Sequence, residues 1–154
     1  MAFVYDTYCG LYCGSCPFLM ASERNELESL GKKMKREKEE LYCEGCKGEN
    51  VSVFCQNCGL KECAQQHEVE FCFECSDYPC EKLETFKNDD NPHHSVVFKN
   101  LDLLNKVGLE RWLVEQKKRW SCQQCGTPFS WYDKECEKCG HELYNAIMED
   151  KDIK

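Results

Sequence analysis

Several things are scarce in this chain. It has four prolines and nine glycines in 154 residues, and no stretch approaches the roughly 20 apolar residues that cross a membrane. Residues 1–20 hold no basic region followed by an unbroken apolar stretch, the mark of a secretory signal. A cytoplasmic protein is therefore expected, outside the compartments where disulfides persist. Leu, Ile, Val and Phe together number 31, about a fifth of the chain, at the edge of what sustains a large hydrophobic core. Basic charge is also in deficit, 20 Lys and Arg against 28 acidic residues, for a net charge of −8. A phosphate-binding surface needs clustered Lys and Arg, so another protein is the expected partner, with nucleic acid a weaker alternative and no membrane.

What is present in excess is cysteine, 15 residues. An odd count leaves one thiol over in any full set of disulfides, whereas metal sites recruit thiolates in threes and fours, with histidine making up the number. Structural zinc contributes apparent energies on the order of 10 to 16 kcal/mol per site in small peptides, comparable to the whole stability of a domain. Two to four zinc ions could hold together a chain with so little core.

Helical stretches separate the cysteine clusters. In residues 22–42, Leu27, Leu30, Met34 and Leu41 recur at helical spacing among Glu, Lys and Arg, which predicts one amphipathic helix. Its basic run at 32–38 reads as a solvated face, since Glu39 and Glu40 follow at once. Pro79 before Cys80, Leu83 and Phe86 predicts a short helix, and residues 88–95 read as a loop in which His93 and His94 are plain surface, with metal ligand or catalytic base the weaker alternative. Gly108 divides two further helical patterns, the second presenting Leu109, Trp112, Leu113, Gln116 and Trp120 along one side, where it docks on the core.

The strongest motif lies in residues 120–140: Cys122-x2-Cys125, ten residues, then Cys136-x2-Cys139, each pair followed by a glycine, Gly126 and Gly140. Each pair fits a tight turn with both sulfurs on one ion, and glycine suits the positive φ of such turns. The motif resembles the zinc ribbon family. Trp131 and Tyr132 near its tip are possible stacking platforms, although acidic residues surround them and packing against the preceding helix suits Trp131 better.

In the middle, Cys55, Cys58, Cys63 and Cys72, Cys75, Cys80 repeat the spacing Cys-x2-Cys-x4-Cys at an offset of 17. Packing alone does not require duplicated intervals. Each repeat is expected to keep its three sulfurs and to borrow a fourth ligand from the N-terminal cluster or from Cys43 and Cys46, with His67 the competitor. The opening Cys9-x3-Cys13-x2-Cys16 has the spacing by which radical enzymes hold a four-iron cluster, but no strand–helix alternation follows to build their barrel. An iron–sulfur cluster without radical chemistry stays open, and with it a thiol-redox role in which Cys9 is the uncommitted sulfur.

The segments YCGLYCGSCPF, LYCEGCKG and FCQNCGLKECAQQHEVEFCFECSDYPCEKLETF together resemble the domain-of-unknown-function family 3795, over residues 5–86. The resemblance implies a cytosolic metal-binding protein and carries ligand positions but no catalytic residue. The expected architecture is small, metal-stabilised and mainly α with irregular Cys-rich knuckles at 1–118, a C-terminal β zinc ribbon at 119–145 and a flexible tail at 146–154. The expected function is a non-enzymatic zinc scaffold or interaction module, because closed four-cysteine sites leave no position open for catalysis.

Overall fold

Before any helix forms, the N-terminal segment lies between two later loops and bends back on itself, Gly10 taking φ 92°. Val4 N–H donates to Glu44 O at 2.8 Å, Cys13 N–H to Tyr5 O at 2.8 Å and Cys72 N–H to Tyr8 O at 2.8 Å, so the opening cysteines lie against those of the middle of the chain. The computed structural model describes residues 3–154. Its first helix, α1 (Pro17–Arg24), starts with proline at its first position, where the missing N–H costs nothing.

The single helix expected over 22–42 is instead three pieces, α1, α2 (Leu27–Met34) and α3 (Lys38–Leu41). The chain breaks at Asn25 and at Lys35, both left-handed at φ 57°. The first helix and the next each end on such a residue, whose N–H returns to the preceding turn. Only Leu41 of the expected stripe is fully buried. The basic run at 32–38 is exposed throughout, with Arg36 paired to Glu40 one turn on at 3.0 Å.

The middle of the chain forms α4 (Gly59–Gln66) and α5 (Glu81–Lys87), preceded at once by Cys58 and Cys80. A 3-10 turn (Pro92–Val96) leads into α6 (Val97–Val107), and after Gly108 into α7 (Leu109–Arg119). The amphipathic α6 serves two cores. Val97 and Leu101 pack with Cys9, Leu60 and Leu83, while Leu104 joins Trp112, Trp120, Phe129 and Trp131. Asn100, also on α6, donates to Gly10 O at 2.8 Å and fixes the first cysteine loop on the helix. Each fully buried Leu of these clusters contributes on the order of 2 kcal/mol.

The C-terminal part departs from the β zinc ribbon expected there. Among the described residues no β-strand forms, and pairing is confined to two isolated antiparallel bridges, Ser121 with Pro128 and Glu135 with Glu142. Pro128 has no N–H to extend a ladder. Each turn closes within a few residues, and Asn145 already caps the next helix, accepting from the N–H groups of Ile147 and Met148.

The stretch read as a flexible tail is helix α8 (Ala146–Ile153). Its Glu149, 7% exposed as a side chain, is held by Arg119 at 3.0 Å and Lys99 at 2.9 Å, which tie α8 to α7 and α6. A carboxylate this buried is tolerated because both oxygens are paired.

Candidate metal centre

Two cysteine turns build the C-terminal site, and they share one backbone pattern at an offset of 14 residues. Cys122 N–H donates to Thr127 O and Cys136 N–H to His141 O, both at 2.9 Å. Gly126 N–H returns to Cys122 O at 2.8 Å and Gly140 N–H to Cys136 O at 2.9 Å. The two glycines have φ of 79° and 76°, a conformation that leaves no comfortable place for a Cβ. Phe129 N–H to Trp120 O and Leu143 N–H to Lys134 O complete the correspondence, both at 2.9 Å. The approximate symmetry brings the pairs together crosswise, Cys122 Sγ to Cys139 Sγ at 3.6 Å and Cys125 Sγ to Cys136 Sγ at 3.5 Å.

All four sulfurs lie within 4.8 Å of one another, yet none is in a disulfide. For a metal–sulfur bond of about 2.3 Å, a tetrahedral ion sets its sulfurs about 3.8 Å apart. The arrangement therefore fits a four-coordinate metal ion. The four thiols differ in their surroundings. The Cys125 N–H lowers the Cys122 thiol, and the Thr127 hydroxyl, 3.1 Å from Cys125 Sγ, brings that thiol down to about 6. The His141 N–H pulls on Cys139 in the same sense, but desolvation and the adjacent sulfurs hold it up at about 12. Four thiolates at such separations need a cation between them before all can ionise. Cys122 and Cys136 are buried and Cys125 and Cys139 exposed, so the site opens on one side to solvent.

The site is mounted on the rest of the protein. Trp131 N–H donates to Ser15 O at 3.3 Å, Ser130 Oγ to the same carbonyl at 3.1 Å, and Ala146 N–H to Trp131 O at 2.7 Å. The Trp131 ring stacks on His93 with centroids 4.1 Å apart and planes at 12°, and His94 stacks on Phe86 at 3.7 Å. The histidines read as plain surface thus form a clasp between α5 and the C-terminal turns, which no local pattern announced. Tyr132 hydrogen-bonds the ring of His93.

Eleven further cysteines lie between residues 9 and 80. Cys13 and Cys16 sit on one turn, Cys16 N–H returning to Cys13 O at 3.0 Å. Cys43 and Cys46 sit on another, where Gly45 N–H donates to Cys43 Sγ at 3.4 Å. Burial raises the Cys13 thiol well above its ordinary value, and Cys16, Cys46 and Cys43 are the thiols around it. Burial likewise pushes Cys16 up to about 12, with Cys43 and Cys55 adjacent, and raises Cys55, with Cys43 and Cys58 adjacent. These two turns and Cys55 therefore gather around one region.

A second grouping holds Cys9, Cys46 and Cys58. Burial pushes Cys9 and Cys46 each to about 12, the first with Cys58 and Cys72 beside it, the second with Cys9 and Cys58. Cys9, read as the uncommitted sulfur, is buried at 7% exposure beside Thr7 Oγ1, 3.7 Å away, and in this setting is not an accessible reactive thiol. The remaining Cys63, Cys72, Cys75 and Cys80 line one cleft together with His67. Two of its lining residues, His67 and Cys75, bring their ligand atoms within 4.8 Å of each other and of Asp77. Asp77 drew no attention in the sequence because nothing in its spacing marks it.

Residues 5–85 match a family model described as a protein of unknown function (DUF3795). No curated protein and no solved structure matches the chain.

Proposed function

The chain belongs to the DUF3795 family of unknown function, and we propose that it is a cytoplasmic zinc protein whose metal sites build a scaffold for binding another protein. The observation that carries this is the convergence of Cys122, Cys125, Cys136 and Cys139 with crosswise sulfur distances of 3.5 and 3.6 Å. Zinc takes four thiolates in this array and then keeps no position open for water or substrate. Such a site stabilises a surface and does no chemistry. Unpaired thiols throughout suit a reducing compartment, and no helix among the described residues is long and apolar enough to cross a membrane. The net charge of −8 weighs against a nucleic-acid partner.

The test is metal analysis of the full chain purified without oxygen, beside Cys125→Ser. Colourless protein with bound zinc, one equivalent of which is lost in the variant, is expected. Absence of zinc, or iron with visible absorption accounting for the metal, would overturn the proposal.

A further inference from the structure

The cleft between α4 and α5 gathers more metal-binding groups than a structural surface needs. Cys63, Cys72, Cys75, Cys80 and His67 all line it, over Leu60 and Leu83. The second repeat forms a metal-binding turn of its own: Cys75 N–H returns to Cys72 O at 3.2 Å, and Asp77 N–H donates to Cys75 Sγ at 3.5 Å. The latter is the same contact that Gly45 N–H makes to Cys43 Sγ in the earlier turn.

His67 ends α4, and its ring is oriented. Nδ1 lies 2.7 Å from Cys63 O, one turn back. A carbonyl can only accept, so Nδ1 carries a proton, and in the neutral ring the lone pair is then on Nε2. A backbone carbonyl holding one ring N–H is the usual companion of a metal-bound imidazole. Nε2 faces Asp77, 3.6 Å from its carboxylate, inside the same 4.8 Å group as Cys75 Sγ. Cys63 Sγ, by contrast, is 3.7 Å from Nδ1, the side of the ring that bears the proton.

We propose that this cleft is a second zinc site, of three cysteines and one histidine, in which His67 Nε2 joins Cys72, Cys75 and Cys80 on one ion. Cys63 orients the imidazole through its carbonyl; Cys72 and Cys80 line the cleft but lie outside the 4.8 Å group that His67 and Cys75 form with Asp77, and must close on the ion in place of that carboxylate. The second repeat keeps its three sulfurs and takes its fourth ligand from the helix of the first. The first repeat is divided, with Cys55 and Cys58 turned toward the N-terminal clusters. The site pins the end of α4 to the start of α5 and so closes the middle of the chain.

The proposal rests on the reading of the chain as a zinc protein, and the experiment separates the two. Zinc is counted in the intact chain and in His67→Ala, Cys63→Ala and Cys125→Ser. Loss of one equivalent in His67→Ala, with the full complement kept in Cys63→Ala, is expected. A full complement in His67→Ala, or loss of an equivalent in Cys63→Ala, overturns the site while leaving the C-terminal one standing if Cys125→Ser still loses its ion. No zinc in any of them removes both. Should His67→Ala not fold, histidine-ring nitrogen NMR of the zinc-loaded natural chain decides. A His67 ring that does not titrate around pH 6.5, the ordinary value for histidine, supports the ligand, and one that does titrate there refutes it.

Discussion

Replacing Trp131 by alanine tests whether the C-terminal cysteine turns and the N-terminal half are one cooperative unit. The residue is 8% exposed and lies in the cluster that also holds Tyr12, Leu19, Leu104 and Trp112. Its backbone bonds to Ser15 and Ala146 survive the substitution, so what is lost is the ring. Core Trp to Ala costs about 3 to 5 kcal/mol, and an aromatic stack such as that on His93 adds about 0.5 to 1.5 kcal/mol beyond area. The residual exposure trims the first figure, leaving a loss of about 4 kcal/mol, a large share of a small domain's stability. The assay is urea unfolding of zinc-loaded protein, followed by both helical circular dichroism and tryptophan fluorescence. One coincident transition is expected in the natural chain, displaced to lower urea in Trp131→Ala, with Trp131→Phe recovering more than half of the loss. A variant within about 1 kcal/mol of the natural chain, or two separated transitions in the natural chain, would refute the shared core.

Two further outcomes follow from the same geometry. Burial, and then the charge of His94, holds His93 down at about 3, against the pull of Asp89. The unfolded chain therefore takes up a proton at this position before the folded one does, and stability present above pH 6.5 is lost as pH falls toward 3. His93→Phe keeps a ring against Trp131 and cannot take a proton, so its Tm should fall less steeply than that of the natural chain between those values; parallel curves would contradict the assignment. Because none of the fifteen cysteines is in a disulfide and the proposed ties are metal–thiolate bonds, reductant should leave Tm unchanged while a strong chelator lowers it. A mass gain of two hydrogens per cysteine pair on reduction would show disulfides in their place.

The cysteine turns at 122–126 and 136–140 were readable in the sequence because a turn is local: the x2 spacing sets two sulfurs on one turn, and the turn demands glycine at Gly126 and Gly140. The helices flanking Gly108 were readable for a similar reason, since their apolar spacing lies within a few turns. What escaped the sequence was decided at long range or against local habit. Asn25 and Lys35 take left-handed φ without a glycine to signal it, so a continuous stripe was read where the chain turns twice. The stretch 146–154 reads as solvated tail because the partners of Glu149, Lys99 and Arg119, lie 50 and 30 residues away. The β ribbon was inferred from a spacing that constrains only the turns. Once the hydrogen bonds of Gly126 and Gly140 close the turns, the arms between them need no ladder, and with Pro128 in one of them they form none. The same division governs the middle of the chain, where spacing identifies each sulfur pair but not its companions. Helix α4 carries His67 to the second repeat, while the bend before α1 lays Cys9 beside Cys58. Which sulfurs share an ion is thus a property of how the helices pack, and the count of cysteines alone could not have assigned them.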